Sequence, residues 1–277
     1  MTYKIVADSS ADLLTLSQTD FASVPLKITV GETTFVDDEN LDVAGMVETL
    51  SHYKGRSVTA CPSPEEFQAA FGEADRVFCV TITSNLSGSC NAARIAAREY
   101  EAAHPDRKVF VIDTLSAGAE MTLICEKLEE LIGKGHSYEE ICVQIVAYMA
   151  KTKLLFSLQS IRNLANNGRV SPAVAKLVGL LNIRILGKAS DEGTLENLAK
   201  ARGDKKAMAE LLAILHQLGY QGGRLRIHHC GNLPAAQQLK EKILALHPLA
   251  NIKVAATRGL CSFYAEAGGL MLGFEIG

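Results

Sequence analysis

The sequence predicts an α/β protein with two domains, a parallel-sheet α/β/α domain over residues 1–155 and an α+β domain over residues 156–277. In the first half, short apolar runs alternate with longer helical patterns, which is typical of a parallel sheet covered on both faces. After about residue 155, helical patterns are interspersed with strands that short turns connect. A length of 277 residues is sufficient for two such domains.

Three short apolar runs in the first half are predicted to be buried strands, at residues 4–7, 77–81 and 108–112. Each run leads into a helical pattern, at residues 11–17, 89–101 and 120–132. Residues 24–30 and 33–36, joined at Gly31-Glu32, are predicted to form a small hairpin or an excursion at the sheet edge. Capping boxes predict two more helix starts, at Ser63 with Glu66 and at Ser137 with Glu140.

The second half is predicted to combine five strands with two helices. The strands are expected at residues 183–189, 194–199, 225–229, 252–256 and 270–275, and the helices at 205–218 and 235–246. The first two strands flank the turn Asp191-Glu192-Gly193, so they are expected to pair as antiparallel neighbours. This mixture predicts an α+β domain rather than a second parallel sheet.

Composition excludes several classes of protein. A net charge of −3 and an aromatic content of 6% argue against nucleic-acid binding. No run reaches the roughly 18 uncharged apolar residues of a membrane span, and the first residues lack the pattern of a signal peptide. The seven cysteines form no Cys-x-x-Cys pair, which favours reduced thiols. We therefore expect a cytoplasmic protein without a metal site or a cofactor.

Polar residues follow the three predicted strands of the first half. They are Asp8-Ser9-Ser10, the segment 83–89 and the segment 113–118. Ligands of open parallel sheets bind at the carboxyl ends of the strands, where hydroxyls and helix N-terminal amides can hold an anion. The alternative is that these residues are ordinary helix caps.

Ser87-Gly88-Ser89 is the best candidate anion site among these segments. Gly88 permits close approach of the backbone to a ligand, and the following amides open the predicted helix. Thr59 lies upstream of the Ser63 cap and is not needed for it, so its hydroxyl is free to serve a site. The sequence contains no complete set of nucleophile, base and orienting residue.

Seven motifs follow one another along the whole chain. They are the opening segment 5–13, the segment 24–28 followed by Asp37-Asp38, Thr59-Ala60-Cys61-Pro62-Ser63, Leu86-Ser87-Gly88-Ser89, Asn167-Gly168-Arg169-Val170-Ser171, Leu181-Asn182-Ile183, and Arg202 with Lys205-Lys206. In content and in order these motifs resemble those of the DegV family. The chain departs from the family pattern at Ala60 and Cys61. It also departs at Tyr264, which occupies the place of a family histidine.

The resemblance implies a DegV-like two-domain fold that buries a long-chain fatty acid, such as palmitate, between its domains. It implies that Thr59 and Ser87 hold the carboxylate with help from the Gly88 amide, and that Tyr264 joins this network. A carrier of this kind has no turnover of its own and delivers its ligand to a separate ATP-dependent fatty acid kinase. Arg169 and Arg202 are expected on the side that faces the kinase or the phosphate.

Two other interpretations remain open from the residues alone. Asp8, Ser87 and Asp113 could instead form the site of a small-molecule phosphotransferase or hydrolase. Leu177, Leu180, Leu181 and Ile185 could be ordinary core residues with no cavity behind them.

Overall fold

Strands and helices alternate through the first half of the chain. In chain order they are β1 (Tyr3–Asp8), β2 (Asp20–Val24), β3 (Lys27–Val30), β4 (Thr33–Val36), α1 (Val43–His52), β5 (Val58–Ala60), α2 (Pro64–Phe71), β6 (Arg76–Thr81), α3 (Ser89–Ala103), β7 (Lys108–Asp113), α4 (Ala119–Gly133) and α5 (Tyr138–Met149). The structure, a computed structural model, describes residues 1–176 and 182–277.

The second half contributes the remaining elements. They are β8 (Thr152–Leu158), α6 (Arg162–Asn166), α7 (Pro172–Ala175), β9 (Ile183–Ala189), β10 (Leu195–Arg202), α8 (Asp204–Gln217), β11 (Arg224–His229), α9 (Leu233–Leu246), β12 (Asn251–Ala256), α10 (Gly259–Ala265) and β13 (Leu270–Glu275). The predictions for Leu177, Leu180 and Leu181 lie outside the described residues.

A parallel sheet in the order β2-β1-β6-β7 forms the centre of the first half. One face packs on α4 and α5 through a cluster that includes Phe78 and Leu128, and the other packs on α2 and α3 through Phe67 and Ala93. The three predicted strands and the α/β/α layering are confirmed. The carboxyl ends of β1, β6 and β7 lie side by side, because parallel strands end at the same edge.

The predicted helix at residues 11–17 is wrong. The chain makes only a short 3-10 turn at Ser9–Ala11 and then turns at Asp12, which has a left-handed backbone (φ 55°). The Asp12 carboxylate accepts hydrogen bonds from the imidazole of His228 and from the Arg258 amide. These long-range contacts override the local helical pattern.

The predicted hairpin is confirmed as β3 and β4, which pair antiparallel across Gly31. It extends to a three-stranded sheet in the order β4-β3-β5, where Thr59 lies opposite Ile28. Neither β5 nor α1 follows from the sequence pattern. The capping box of Ser63 and Glu66 starts α2 as predicted.

A six-stranded mixed sheet in the order β10-β9-β8-β13-β11-β12 forms the second half. Helices α8 and α9 pack on one of its faces, and α4 of the first half packs against β11 and β13. Strand β8 was not predicted, and it starts at Thr152, so the boundary expected between residues 155 and 156 lies inside this strand. In the described part of the chain, no helix is long and apolar enough to cross a membrane.

Candidate functional site

A cavity of about 310 Å³ lies between the two halves of the molecule. The first half contributes Leu26 of the β2–β3 connection, Thr59 of β5, the loop before α3 and Ala117. The second half contributes residues of β8, α6, β10, α10 and β13. Both halves are therefore needed to form the wall.

Most of the wall is apolar. Its aliphatic, aromatic and thioether side chains are Leu26, Ala60, Ile82, Leu86, Ala117, Leu154, Phe156, Leu158, Leu164, Leu195, Leu260, Ala265 and Met271. Leu154, Phe156 and Leu158 alternate along β8, because every second side chain of a strand points to the same face. An apolar wall of this kind suits a hydrocarbon chain.

One group of cavity residues is polar: Thr59, Ser87, Gly88, Arg169 and Tyr264. Five residues that the sequence analysis singled out therefore share one cavity. The hydroxyls of Thr59 and Tyr264 lie 2.8 Å apart and form a hydrogen bond. Burial raises the pKa of the Tyr264 phenol, although the hydrogen bond to Thr59 and the charge of Arg169 oppose this effect. The phenol is therefore neutral at pH 7 and able to donate its proton.

Ser87 and Gly88 lie in the turn that follows β6, where the amide of Ser87 donates to the carbonyl of Thr83. The Ser87 hydroxyl accepts a hydrogen bond from the Ser89 amide at 3.2 Å, which leaves its own proton free to donate. Gly88 is the N-cap residue of α3 and supplies no side-chain cap. Within the described residues its amide has no protein acceptor. This amide is thus available to an anion.

Gly88 packs close to the side chain of Cys61. A Cβ atom there would lie 3.1 Å from the sulfur of Cys61, which is tighter than ordinary side-chain packing. The start of α3 therefore lies directly against the segment that carries Thr59. Cys61, like Cys261, lines the cavity, and neither was predicted as a site residue.

Arg169 connects the second half to the Ser87 turn. Its guanidinium donates from Nε to the carbonyl of Leu86 at 3.0 Å and also bonds the carbonyl of Asn167. These bonds hold a positive charge at the polar end of the cavity. Arg202, in contrast, ends β10 as an exposed residue and does not line the cavity. Its role toward a partner stays a prediction.

Of the alternative cluster of Asp8, Ser87 and Asp113, only Ser87 lines the cavity described above. Asp8 is fully buried and accepts hydrogen bonds from the Ser89 hydroxyl at 2.5 Å and the Ile82 amide at 2.9 Å. Burial raises its pKa. The Asp113 carboxylate accepts from the Ser84 amide at 3.1 Å. Asp8 is the N-cap residue of the 3-10 turn Ser9–Ala11, which is the capping role considered as an alternative, whereas Asp113 accepts from loop amides and is not the N-cap residue of any described helix.

The apolar wall is the part of the site that sequence reasoning missed. The short apolar run Leu154-Leu155-Phe156 was a usable signal for β8, but the candidate core residues were sought in the leucine-rich segment 177–185 instead. Of that segment, Ile185 is buried opposite Leu158 of β8 and does not line the cavity. Its interpretation as a core residue is confirmed. The three leucines before it lie outside the described residues.

Comparison with known proteins gives a family match over nearly the whole chain. The model for the DegV family, described as "Uncharacterised protein, DegV family", matches residues 2–275. A DegV domain-containing protein of Streptococcus pneumoniae is 50% identical over 280 residues, covering 100% of both chains. The motifs named in the sequence analysis are therefore part of a similarity that extends from end to end.

Two crystal structures are similar over the full length of both chains. The Fatty Acid Kinase (Fak) B3 protein of Streptococcus pneumoniae, loaded with linoleic acid, has a TM-score of 0.98 and 49% identity, with 100% of each chain covered. A DegV family protein of Eubacterium eligens, loaded with heptadecanoic acid, has a TM-score of 0.97 and 43% identity, again with 100% coverage of each chain.

Proposed function

This chain belongs to the DegV family, and from that premise we propose that it binds a long-chain fatty acid between its two halves. One observation carries the proposal. A single cavity combines an apolar wall with a polar group made of Thr59, Ser87, Gly88, Arg169 and Tyr264. That combination matches the two chemically distinct ends of a fatty acid, and similar DegV proteins are described as loaded with linoleic and heptadecanoic acid.

The carboxylate is held at the polar end. The hydroxyls of Thr59 and Ser87 and the amide of Gly88 donate hydrogen bonds to its oxygens, and Arg169 supplies a nearby positive charge. A hydrogen bond to a charged group contributes about 1.5–3 kcal/mol. The head group therefore sets the orientation of the ligand.

The acyl chain lies along the apolar wall and contributes most of the affinity. Each buried methylene contributes roughly 0.8 kcal/mol, so about ten of them contribute ~8 kcal/mol before the costs of ordering. A short-chain acid keeps the head-group bonds but loses most of this term. We expect affinity to increase with chain length until the cavity is filled.

The protein presents its ligand to a separate ATP-dependent fatty acid kinase, which phosphorylates the carboxylate to an acyl phosphate. Ala60, Cys61 and Gly88 line both the cavity and an open surface groove beside Pro62 and Asn91. A carboxylate bound at Gly88 is thus close to the molecular surface, where a second protein can reach it. The carrier supplies the positioned substrate and the kinase supplies the nucleotide chemistry.

A titration with three matched ligands tests the binding proposal. A long-chain fatty acid should bind more tightly than the alcohol of equal length, which lacks the carboxylate, and much more tightly than a short-chain acid. Equal affinity for the acid and the alcohol would refute the head-group site. Equal affinity for long and short acids would refute burial of the tail.

The role toward a kinase has its own test. The loaded protein with ATP should form no acyl phosphate alone, and acyl phosphate should appear when a bacterial fatty acid kinase is added. Formation of acyl phosphate without the kinase would contradict the carrier role. Failure of the kinase to act on the loaded protein would contradict presentation but leave fatty-acid binding intact.

A further inference from the structure

Helix α10 starts without a cap of its own. It spans Gly259–Ala265, and its N-cap residue, Arg258, makes no side-chain capping hydrogen bond. The first amides of a helix have no partner within the helix, so they need acceptors from elsewhere. In α10 these amides are buried, which makes an unsatisfied donor costly.

Two carboxylates of the first half supply the missing acceptors. The two oxygens of Asp37 accept from the amides of Gly259 and Leu260, each at 2.8 Å. Asp12 accepts from the amide of Arg258 at 2.7 Å. The start of α10 is therefore bound to the other half of the molecule through main-chain atoms.

Asp37 loses its contact with water in order to accept these hydrogen bonds. Its side chain is fully buried, and burial raises the pKa of the carboxyl while the two amide hydrogen bonds oppose that effect. A Cβ atom on residue 259 would lie 2.7 Å from the Asp37 carboxyl carbon and 2.6 Å from Leu41. Only glycine permits this close approach of the helix to the carboxylate.

The same helix carries the wall and the polar end of the cavity. Leu260, Cys261, Tyr264 and Ala265 all line the cavity, and Tyr264 bonds Thr59 at 2.8 Å. The far end of α10 is held separately, because the Asn163 side chain donates to the carbonyl of Phe263. The position of Tyr264 thus depends on attachments at both ends of a two-turn helix.

We propose that Asp37, assisted by Asp12, is a positioning residue for the ligand: it caps α10 across the two halves of the molecule and so holds the Tyr264 hydroxyl at Thr59. Asp37 does not line the cavity, so it acts through α10 rather than on the ligand. The inference rests on the proposed function, because its readout is the binding of a fatty acid.

The test is a double-mutant cycle that combines Asp37→Asn with Tyr264→Phe. The new side-chain amide places a donor against one of the two helix amides and removes the charge, so α10 loses part of its cap. We expect fatty-acid affinity to fall about tenfold when Tyr264 is present and by about twofold or less in the Tyr264→Phe background. Affinity for the matched fatty alcohol should change less than affinity for the acid.

The control is Asp38→Asn, which removes the same charge one residue away. The Asp38 side chain bonds the Asn40 amide rather than α10, so affinity should stay within about twofold of wild type. An equal loss of affinity with and without Tyr264 would indicate only general destabilisation and would overturn the inference. If the wild-type protein binds no fatty acid at all, the proposed function fails, and this inference fails with it.

If Asp37→Asn does not fold, a second variant tests whether the start of α10 is coupled to ligand binding. Asp12→Asn keeps an oxygen that can accept from the Arg258 amide, so the start of α10 stays attached, but it removes the negative charge that interacts favourably with the N-terminal end of this helix. This variant should fold and lower affinity about threefold, again only when Tyr264 is present. An unchanged affinity in Asp12→Asn would overturn the assistance assigned to Asp12, and an equal loss in both backgrounds would overturn coupling through α10.

Discussion

The hydroxyls of Thr59 and Tyr264 lie 2.8 Å apart, although 205 positions separate them in the sequence. Sequence reasoning identified Thr59 by a hydroxyl that no cap requires, and Tyr264 by its place in the pattern of the DegV family. It could not provide the distance, which depends on how α10 docks on the first half. The Cys61 contact with Gly88 was missed for the same reason.

At the residue scale, Ser87→Ala tests the head-group assignment. The substitution removes one hydrogen bond to the carboxylate, so fatty-acid affinity should fall about tenfold, as measured by titration. Ser84→Ala is the matched control, because Ser84 is exposed and does not line the cavity. An unchanged affinity in Ser87→Ala would rule out this serine as a carboxylate ligand.

At the element scale, β8 and α4 connect the fold to the site. Strand β8 contributes three alternate side chains to the cavity, and α4 packs between the two sheets. The sequence pattern predicted α4 as a helix, because its apolar positions recur at helical spacing. That pattern did not indicate that the helix is shared by two sheets, because sharing is a property of tertiary packing. The error at residues 11–17 has a similar origin in long-range contacts of Asp12.

Gly273→Ala tests the packing of β13 on α4. A Cβ atom at Gly273 would lie 2.3 Å from the carbonyl carbon of Ala119, a backbone atom that cannot move aside. Overpacking of this kind costs about 1–3 kcal/mol, so denaturant unfolding should give a lower free energy of unfolding.

Gly133→Ala is the matched control for that variant. Gly133 ends α4, and a Cβ there would meet only Gln18 at 3.7 Å, an ordinary contact. Alanine in a helix is more stable than glycine by about 0.5–1 kcal/mol. A loss of stability in Gly133→Ala as large as that in Gly273→Ala would contradict the packing explanation.

At the scale of the whole molecule, charged residues of α4 join the two halves through ion pairs. Glu126 pairs with Arg226 and Lys253 of the second half, and Glu130 pairs with Arg224. Burial alone would raise the pKa of Glu130, but hydrogen bonds from Lys134, Arg224 and Lys127 outweigh it and lower the pKa to about 2. The two halves are thus coupled by ion pairs as well as by the cavity wall.

This coupling predicts how stability depends on pH. Because the folded-state pKa of Glu130 lies below the ordinary value of 4.5, its stabilising contribution is present above about pH 4.5 and is lost as the pH falls toward 2. Glu130→Gln should therefore lower the free energy of unfolding at pH 7, and its difference from wild type should shrink between pH 4.5 and 2. Denaturant unfolding over that pH range measures the difference in free energy of unfolding. The control is Glu241→Gln, because Glu241 is exposed. A difference that stays constant with pH would contradict the assigned ion pairs.

Native mass spectrometry of the purified protein, followed by denaturation and lipid analysis of the released material, tests the central claim most directly. A cavity that takes an acyl chain should retain one from the expression host. We therefore predict a mass increment of one long-chain fatty acid per chain and recovery of that acid after denaturation. A protein that has the mass of its sequence alone and takes up no added fatty acid would contradict the account.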